Sequence, residues 1–188
     1  MSTVFIGGSR RLSRLNDDVR VRLDNIIRNG LAVLIGDANG ADKAVQQYLV
    51  SKGYRNVTIY CVEGRCRNNL GGWVTKPIEV DRARKDFEYY AAKDRAMAKL
   101  ASCGFMIWDG KSRGTLNNIA NLLRGGKSVA VYFGPEQSSH TLRSLEDLEA
   151  FLDKCPEPDR RRFARDLATE GVVGDVAAHR DLFVSRRG

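Results

Sequence analysis

Short, continuously apolar runs of strand length recur along the chain, separated by stretches of helical spacing: Thr3 to Ile6, Leu31 to Ile35, Val57 to Val62, Cys103 to Trp108 and Ser128 to Phe133. A strand that is apolar throughout needs cover on both faces, which is the mark of a parallel sheet between helical layers. The helical stretches supply that cover. Asp17 to Arg28 follows Asn16 as cap, turns Val19, Leu23, Ile26 and Ile27 inward, and is closed by Asn29-Gly30. A second helix runs from Asp42 to about Ser51, a third from near Asp81 to about Ala101, and a fourth from Gly114 to Gly125-Gly126. The alternation predicts an α/β fold: a Rossmann-like three-layer sandwich with a five-stranded, mainly parallel sheet. Leu142 to Leu152 reads as one more amphipathic helix, and Pro156 and Pro158 then interrupt the chain. Residues 1–155 are therefore expected to form the sandwich and 156–188 a C-terminal extension of one or two short helices. Glu63 to Val80 has no period and reads as a loop, and a loop of that length is usually functional.

All strand carboxyl ends of a parallel sheet lie on one edge, where ligands bind. Three of these strands end in unusual polar turns: Gly7-Gly8-Ser9-Arg10, Gly36-Asp37-Ala38-Asn39-Gly40-Ala41-Asp42, and Asp109-Gly110-Lys111-Ser112-Arg113-Gly114-Thr115. The last joins a strand to a helix N-terminus, whose unpaired N–H groups and partial positive charge favour an anion. Glycine lets the anion approach, Lys111 and Arg113 add charge, and Ser112 and Thr115 add hydroxyls. Arg10 and Arg113 can grip phosphate oxygens through two N–H groups. Asp37 and Asp42 cannot favour phosphate, but a carboxylate accepts from sugar hydroxyls or base amino groups. Asp42 reads equally well as a first-turn residue favourable to the helix dipole, and Asp109 as a cap on its own turn. None of the turns is a GxGxxG dinucleotide fingerprint or a Walker A loop, which disfavours nicotinamide-dependent hydride transfer and P-loop hydrolysis.

The formal charge of +8 favours anionic partners. The arginines are spread in mixed-sign company, so a nucleic-acid partner is the minority reading. Arg160-Arg161-Arg162 is read first as a solvated helix face. Cys61, Cys66, Cys103 and Cys155 show no CxxC spacing and the two histidines lie far apart, so no metal site is expected. Cys61 and Cys103 read as buried reduced thiols, with no structural disulfide. No apolar run reaches the roughly 20 residues of a membrane span, and the N-terminus lacks a signal-peptide layout, which together predict a cytoplasmic protein with no membrane partner.

Gly8-Ser9-Arg10, Gly36-x-Ala38-x-Gly40-Ala41-Asp42 and Ser112-Arg113-Gly114-Thr115, in this order, resemble the YspA-type branch of the SLOG superfamily, which also includes the LONELY GUY phosphoribohydrolases and the DNA-processing protein Smf. The resemblance spans roughly Val4 to Phe133. It implies a Rossmann-like fold and a nucleotide or nucleotide-derived ligand, with no further cofactor required, and it allows a homodimer. LONELY GUY enzymes carry Arg-Lys-x-x-Met before Pro-Gly-Gly-x-Gly-Thr-x-x-Glu. Here Lys93-Asp94-Arg95-Ala96-Met97 occupies the first place, and Asn118 stands where the glutamate would be. An amide is neither a base nor a charge for an oxocarbenium ion, so the phosphate-binding half of that site is kept and its catalytic half is not.

The leading expectation is therefore a nucleotide-binding or sensing protein, with N-glycosidic hydrolysis of nucleoside monophosphates and nucleic-acid binding as the alternatives. Gly8, Ser9, Arg10, Lys111, Ser112, Arg113, Gly114 and Thr115 are expected at phosphate or ribose, and Gly36, Asp37, Gly40 and Asp42 at sugar or base. Lys93 and Asn118 complete the expected ligand set. If chemistry occurs, its acid comes from Asp94, Glu88, Asp109 or Asp42. Asp94 lies on an inward helix stripe, where a charge is either paired, here with a nearby arginine, or in contact with a ligand. Trp73 is either a lid that stacks on a base or a pin that holds its loop to the body. Trp108 reads as core packing.

Overall fold

The computed structural model describes residues 2–62, 66–79 and 87–180, with 87–90 and 169–180 described in backbone only. The chain falls into two compact units, Met1–Leu148 and Glu149–Gly188. In the first, β1 (Thr3–Gly8), α1 (Asp17–Arg28), β2 (Ala32–Gly36), α2 (Ala41–Ser51) and β3 (Val57–Val62) alternate as expected. β4 (Val74–Ile78), α3 (Phe87–Leu100), β5 (Cys103–Trp108), α4 (Arg113–Arg124), β6 (Val129–Phe133) and β7 (Ser138–Leu142) follow. α5 (Leu145–Leu152) and α6 (Glu157–Arg180) end the described chain.

Among the described residues the sheet has seven strands in the order β4-β3-β2-β1-β5-β6-β7. All pairs are parallel except β6 with β7. From β1 the chain winds outward through β2, β3 and β4, then returns to lay β5 against the other side of β1. The strand order reverses there, and in sheets of this kind the crevice that takes a ligand lies outside the carboxyl ends of the two strands at that point, here β1 and β5. Successive strand residues face opposite ways. Val4, Ile6, Val33, Ile35, Phe105 and Ile107 pack with Val19, Leu23, Ala41, Val45 and Leu49 of α1 and α2. Phe5 and Met106 lie on the other face, beside Gly7 and the Asn118 side chain of α4. This is the Rossmann-like three-layer sandwich.

Five strands were expected and seven are found, and the two extra ones explain why. β4, Val-Thr-Lys-Pro-Ile, is exposed along most of its length and lies in the stretch read as a loop. β7, Ser-Ser-His-Thr-Leu, is an antiparallel edge strand with one buried residue. Edge strands need no apolar run; the lysine and proline in β4 are typical of an edge that resists further pairing. The helix expected over Leu142–Leu152 is correspondingly shorter, because Leu142 ends β7. The long helix expected from Asp81 is described from Phe87, and 81–86 lie outside the described residues. In the second unit a single helix of 24 residues replaces the short helices expected. Its Arg160 pairs with Asp153 and Glu157, Arg161 with Glu157, and Arg162 with Asp159.

The cysteine expectation is also corrected. Cys61 and Cys66 form a disulfide, with Cα atoms 5.1 Å apart. Cys103 and Cys155 take no part in a disulfide. No described helix is long and apolar enough to cross a membrane.

Candidate functional site

The three polar turns meet at the crevice, and Ser9 joins them. Its N–H donates to the Ile107 carbonyl at the end of β5 (2.9 Å), and its own carbonyl accepts from Ala41 N at the start of α2 (3.2 Å). Its hydroxyl donates to Asp109 Oδ1 (2.9 Å) and lies 3.3 Å from Thr115 Oγ1. The approach requires glycine at position 8, where a Cβ would stand 2.5 Å from the Ile107 carbonyl oxygen and 2.7 Å from Ala41 Cβ. Gly40, at φ +81°, brings the second turn under the first, and a Cβ there would run into the Arg10 carbonyl. Ser9 is fully buried. It positions the turns rather than presenting a hydroxyl to a ligand.

The β5–α4 turn is held by its own side chains. Asp109 Oδ1 also accepts from Lys111 N (2.9 Å) and Ser112 N (2.8 Å). Ser112 caps α4: its Oγ accepts from Thr115 N (3.3 Å) and from Thr115 Oγ1 (3.0 Å). Trp108 is fully buried, and its indole N–H donates to the Ser112 carbonyl (3.0 Å). Asp109 is thus a clamp on the turn. What the turn offers outward is the first turn of α4, where a Cβ on Gly114 would meet nothing within 4 Å, together with the exposed side chains of Lys111, Arg113 and Arg10.

Across the crevice, toward β2, the character changes to buried charge. Gly36 leaves room for two charged atoms: a Cβ there would lie 2.6 Å from Asp42 Oδ2 and 2.7 Å from Lys93 Nζ. Lys93, from α3, is the one buried cation among the described residues. It donates to Asp94 Oδ1 (2.8 Å), and Asp94 Oδ2 accepts from Asn118 Nδ2 of α4 (3.2 Å). The partner of Asp94 is thus the adjacent lysine, where an arginine was expected. Burial pushes the Asp42 carboxyl up to about 6, the Lys93 charge opposes the rise, and Asp94 and Asp37 add to it. Burial works against the charged form of Lys93, but Asp94 and Asp42 outweigh it and hold the ammonium above its ordinary value.

The sequence reading missed the turn after β3. Arg67 donates to Asp37 Oδ1 through Nη2 (2.8 Å) and to Oδ2 through Nε (3.1 Å), and its backbone N–H reaches Oδ2 as well (3.0 Å). Burial would raise the Asp37 carboxyl; the hydrogen bonds from Arg67 and the nearby Lys93 charge prevail and hold it below the usual carboxylate value. Asn68 donates to the Asp37 carbonyl (2.8 Å), and the fully buried Gln46 donates to the Gly36 carbonyl (2.9 Å). The signal available was position: Arg67-Asn68-Asn69 follows a parallel strand, so it belongs to the same edge as the other three turns.

Trp73 does not join the site. It precedes β4 at the opposite, amino edge of the sheet, is buried in the core, and donates its indole N–H to the Tyr54 carbonyl (3.0 Å). It pins the loop. The side chain of Glu88 lies outside the described residues. Among the expected acids, Asp42 and Asp94 are the two brought together around Lys93.

No family model matches the chain, and no curated protein matches it in sequence. Its fold is similar to that of DNA processing protein A from Helicobacter pylori, whose structure describes a single-stranded DNA binding mode. The TM-score is 0.51 at 16% identity, over 69% of this chain and 64% of that one. It is also similar to DNA processing protein A (DprA) from Streptococcus pneumoniae, with a TM-score of 0.51 at 16% identity over 79% of this chain and 61% of that one. The matched region spans less than two thirds of either protein. At this identity the likeness shows the fold, a Rossmann-like α/β sandwich.

Proposed function

We propose that the carboxyl edge binds a nucleotide, with its phosphate at the N-terminus of α4 and its sugar toward the Asp42–Lys93–Asp94–Asn118 cluster. The observation that carries this reading is the polarity of the crevice. Exposed cations and an open helix start lie on the β5 side, and buried hydrogen-bonding charge lies on the β2 side. A phosphate suits the first and a hydroxylated sugar the second. Placement in the YspA-type branch belongs to the same proposal and rests on the three turn motifs. Asn118 favours binding over hydrolysis, because it presents to the cluster an amide that donates to Asp94.

Calorimetry with AMP tests this. Binding is expected, with Arg113→Ala weakening it about tenfold or more through loss of charge-assisted hydrogen bonds. Chromatography of the same mixture is expected to return intact AMP; release of adenine would turn the reading to hydrolysis with Asp42 and Asp94 as its acids.

A second reading is single-stranded nucleic acid as the ligand. The likeness to DNA processing protein A, one example of which binds single-stranded DNA, and the +8 charge favour it. It predicts that an oligo(dT) binds far better than a mononucleotide, and that log K falls with log salt at about −0.7 per phosphate contacted.

A further inference from the structure

We propose that the Cys61–Cys66 disulfide is a redox switch on one wall of this site, acting through Arg67. The bond ties Cys61, fully buried at the carboxyl end of β3, to the partly exposed Cys66 over a sequence separation of 5. So short a ring removes little freedom from the unfolded chain, and its effect is local. What it fixes locally is the residue that follows, Arg67, with its three hydrogen bonds to Asp37.

From Asn68 onward the turn has anchors of its own. Asn68 Nδ2 holds the Asp37 carbonyl (2.8 Å), Leu70 N donates to Gln46 Oε1 (3.1 Å), and the Asn69 side chain bonds both the N–H and the carbonyl of Trp73. The disulfide therefore governs Cys66 and Arg67, between a rigid strand and an independently held loop.

A dithiol reductant supplies the chemistry. Its thiolate attacks Cys66 Sγ, the more accessible sulfur, and the Cys61–Cys66 bond breaks as a mixed disulfide forms. The reductant's second thiol displaces Cys66 and leaves as a cyclic disulfide. Two electrons and two protons end on Cys61 and Cys66 as thiols. Arg67 then loses its fixed starting point, and Asp37 is left with the Lys93 charge, which Asp42 and Asp94 share. The consequence for ligand rests on the nucleotide reading: a wall with one ion pair fewer is more negative and repels the anion, and affinity falls.

The test compares protein treated with oxidised glutathione, protein reduced with dithiothreitol, and the Cys66→Ser variant. Thiol titration under denaturing conditions is expected to rise from two to four on reduction. Amide exchange at Arg67 is expected to quicken tenfold or more in the reduced and variant forms, with Asn69 to Trp73 unchanged, and AMP to bind severalfold more weakly. Four free thiols that persist after oxidised glutathione, or equal exchange at Arg67 in all three forms, would overturn the switch. Failure of AMP to bind any form would remove the nucleotide reading, and the exchange result would still decide the switch.

Discussion

The two sides of the crevice solve the same problem differently. The β5–α4 turn keeps its shape with neutral hydroxyls, one carboxylate clamp and backbone N–H groups, and its cations are exposed. The β2 side buries Lys93 among Asp37, Asp42 and Asp94, with Arg67 reaching in from the β3 turn. The first arrangement is local and cheap to perturb. The second is built from α2, α3 and two turns at once, so each member depends on the others.

The largest effect is expected where the second arrangement loses its cation. Lys93→Met leaves three carboxylates facing one another and is expected to cost about 3–5 kcal/mol in urea unfolding at neutral pH. The loss should shrink as pH falls and the carboxyls protonate; an unchanged unfolding midpoint would show that the cluster is not held by this lysine.

Next in size is a pH dependence. The folded Asp42 carboxyl is raised to about 6, above its ordinary 3.8, so its contribution to stability is fully present below about pH 4 and is lost as pH rises through 6. The shift corresponds to roughly 3 kcal/mol at most, at about 1.4 kcal/mol per pH unit. Asp37 is lowered and works the other way, but its window lies below 3.8, so the two separate. Stability against unfolding, measured from pH 4 to 7, is expected to fall across that range in the parent protein and to lose most of that slope in Asp42→Asn.

A pair of glycines sharpens the contrast. Gly36→Ala drives a methyl against Asp42 and Lys93 and is expected to cost about 1–3 kcal/mol. Gly114→Ala meets open space in the first turn of α4 and is expected to be neutral or stabilising by up to about 1 kcal/mol. Equal costs for the two, by thermal unfolding, would contradict the difference between the sides.

The smallest loss is expected at the α4 cap. Ser112→Ala removes the acceptor for Thr115 N–H and should cost about 1 kcal/mol, with the Thr115 amide exchanging faster.

The same contrast marks what could be read from the chain alone. The central strands were legible because burial on both faces writes a continuous apolar run, and the edge strands β4 and β7 were not, because an edge faces water. The α4 turn was legible because its cap, glycine and cations are neighbours in sequence. The buried cluster was only partly so. Asp42, Lys93, Asp94 and Asn118 were each singled out, but their joining through Lys93 and Asp94 depends on how α2, α3 and α4 pack. Arg67 and the disulfide were hidden in a stretch without period, where only the chain order placed them at the carboxyl edge. Trp73 was drawn toward the site by the same stretch, and the start of β4 carries it to the other edge.

The crevice between β1 and β5 is proposed as a nucleotide site with its phosphate at the start of α4. The most direct measurement is an amide chemical-shift titration with AMP. The account predicts saturable shifts concentrated at 8–10, 36–42 and 111–115, lost in Arg113→Ala, with AMP intact at the end. No shifts with AMP, alongside salt-steep shifts with oligo(dT) that survive Arg113→Ala, would contradict it and assign the edge to single-stranded nucleic acid.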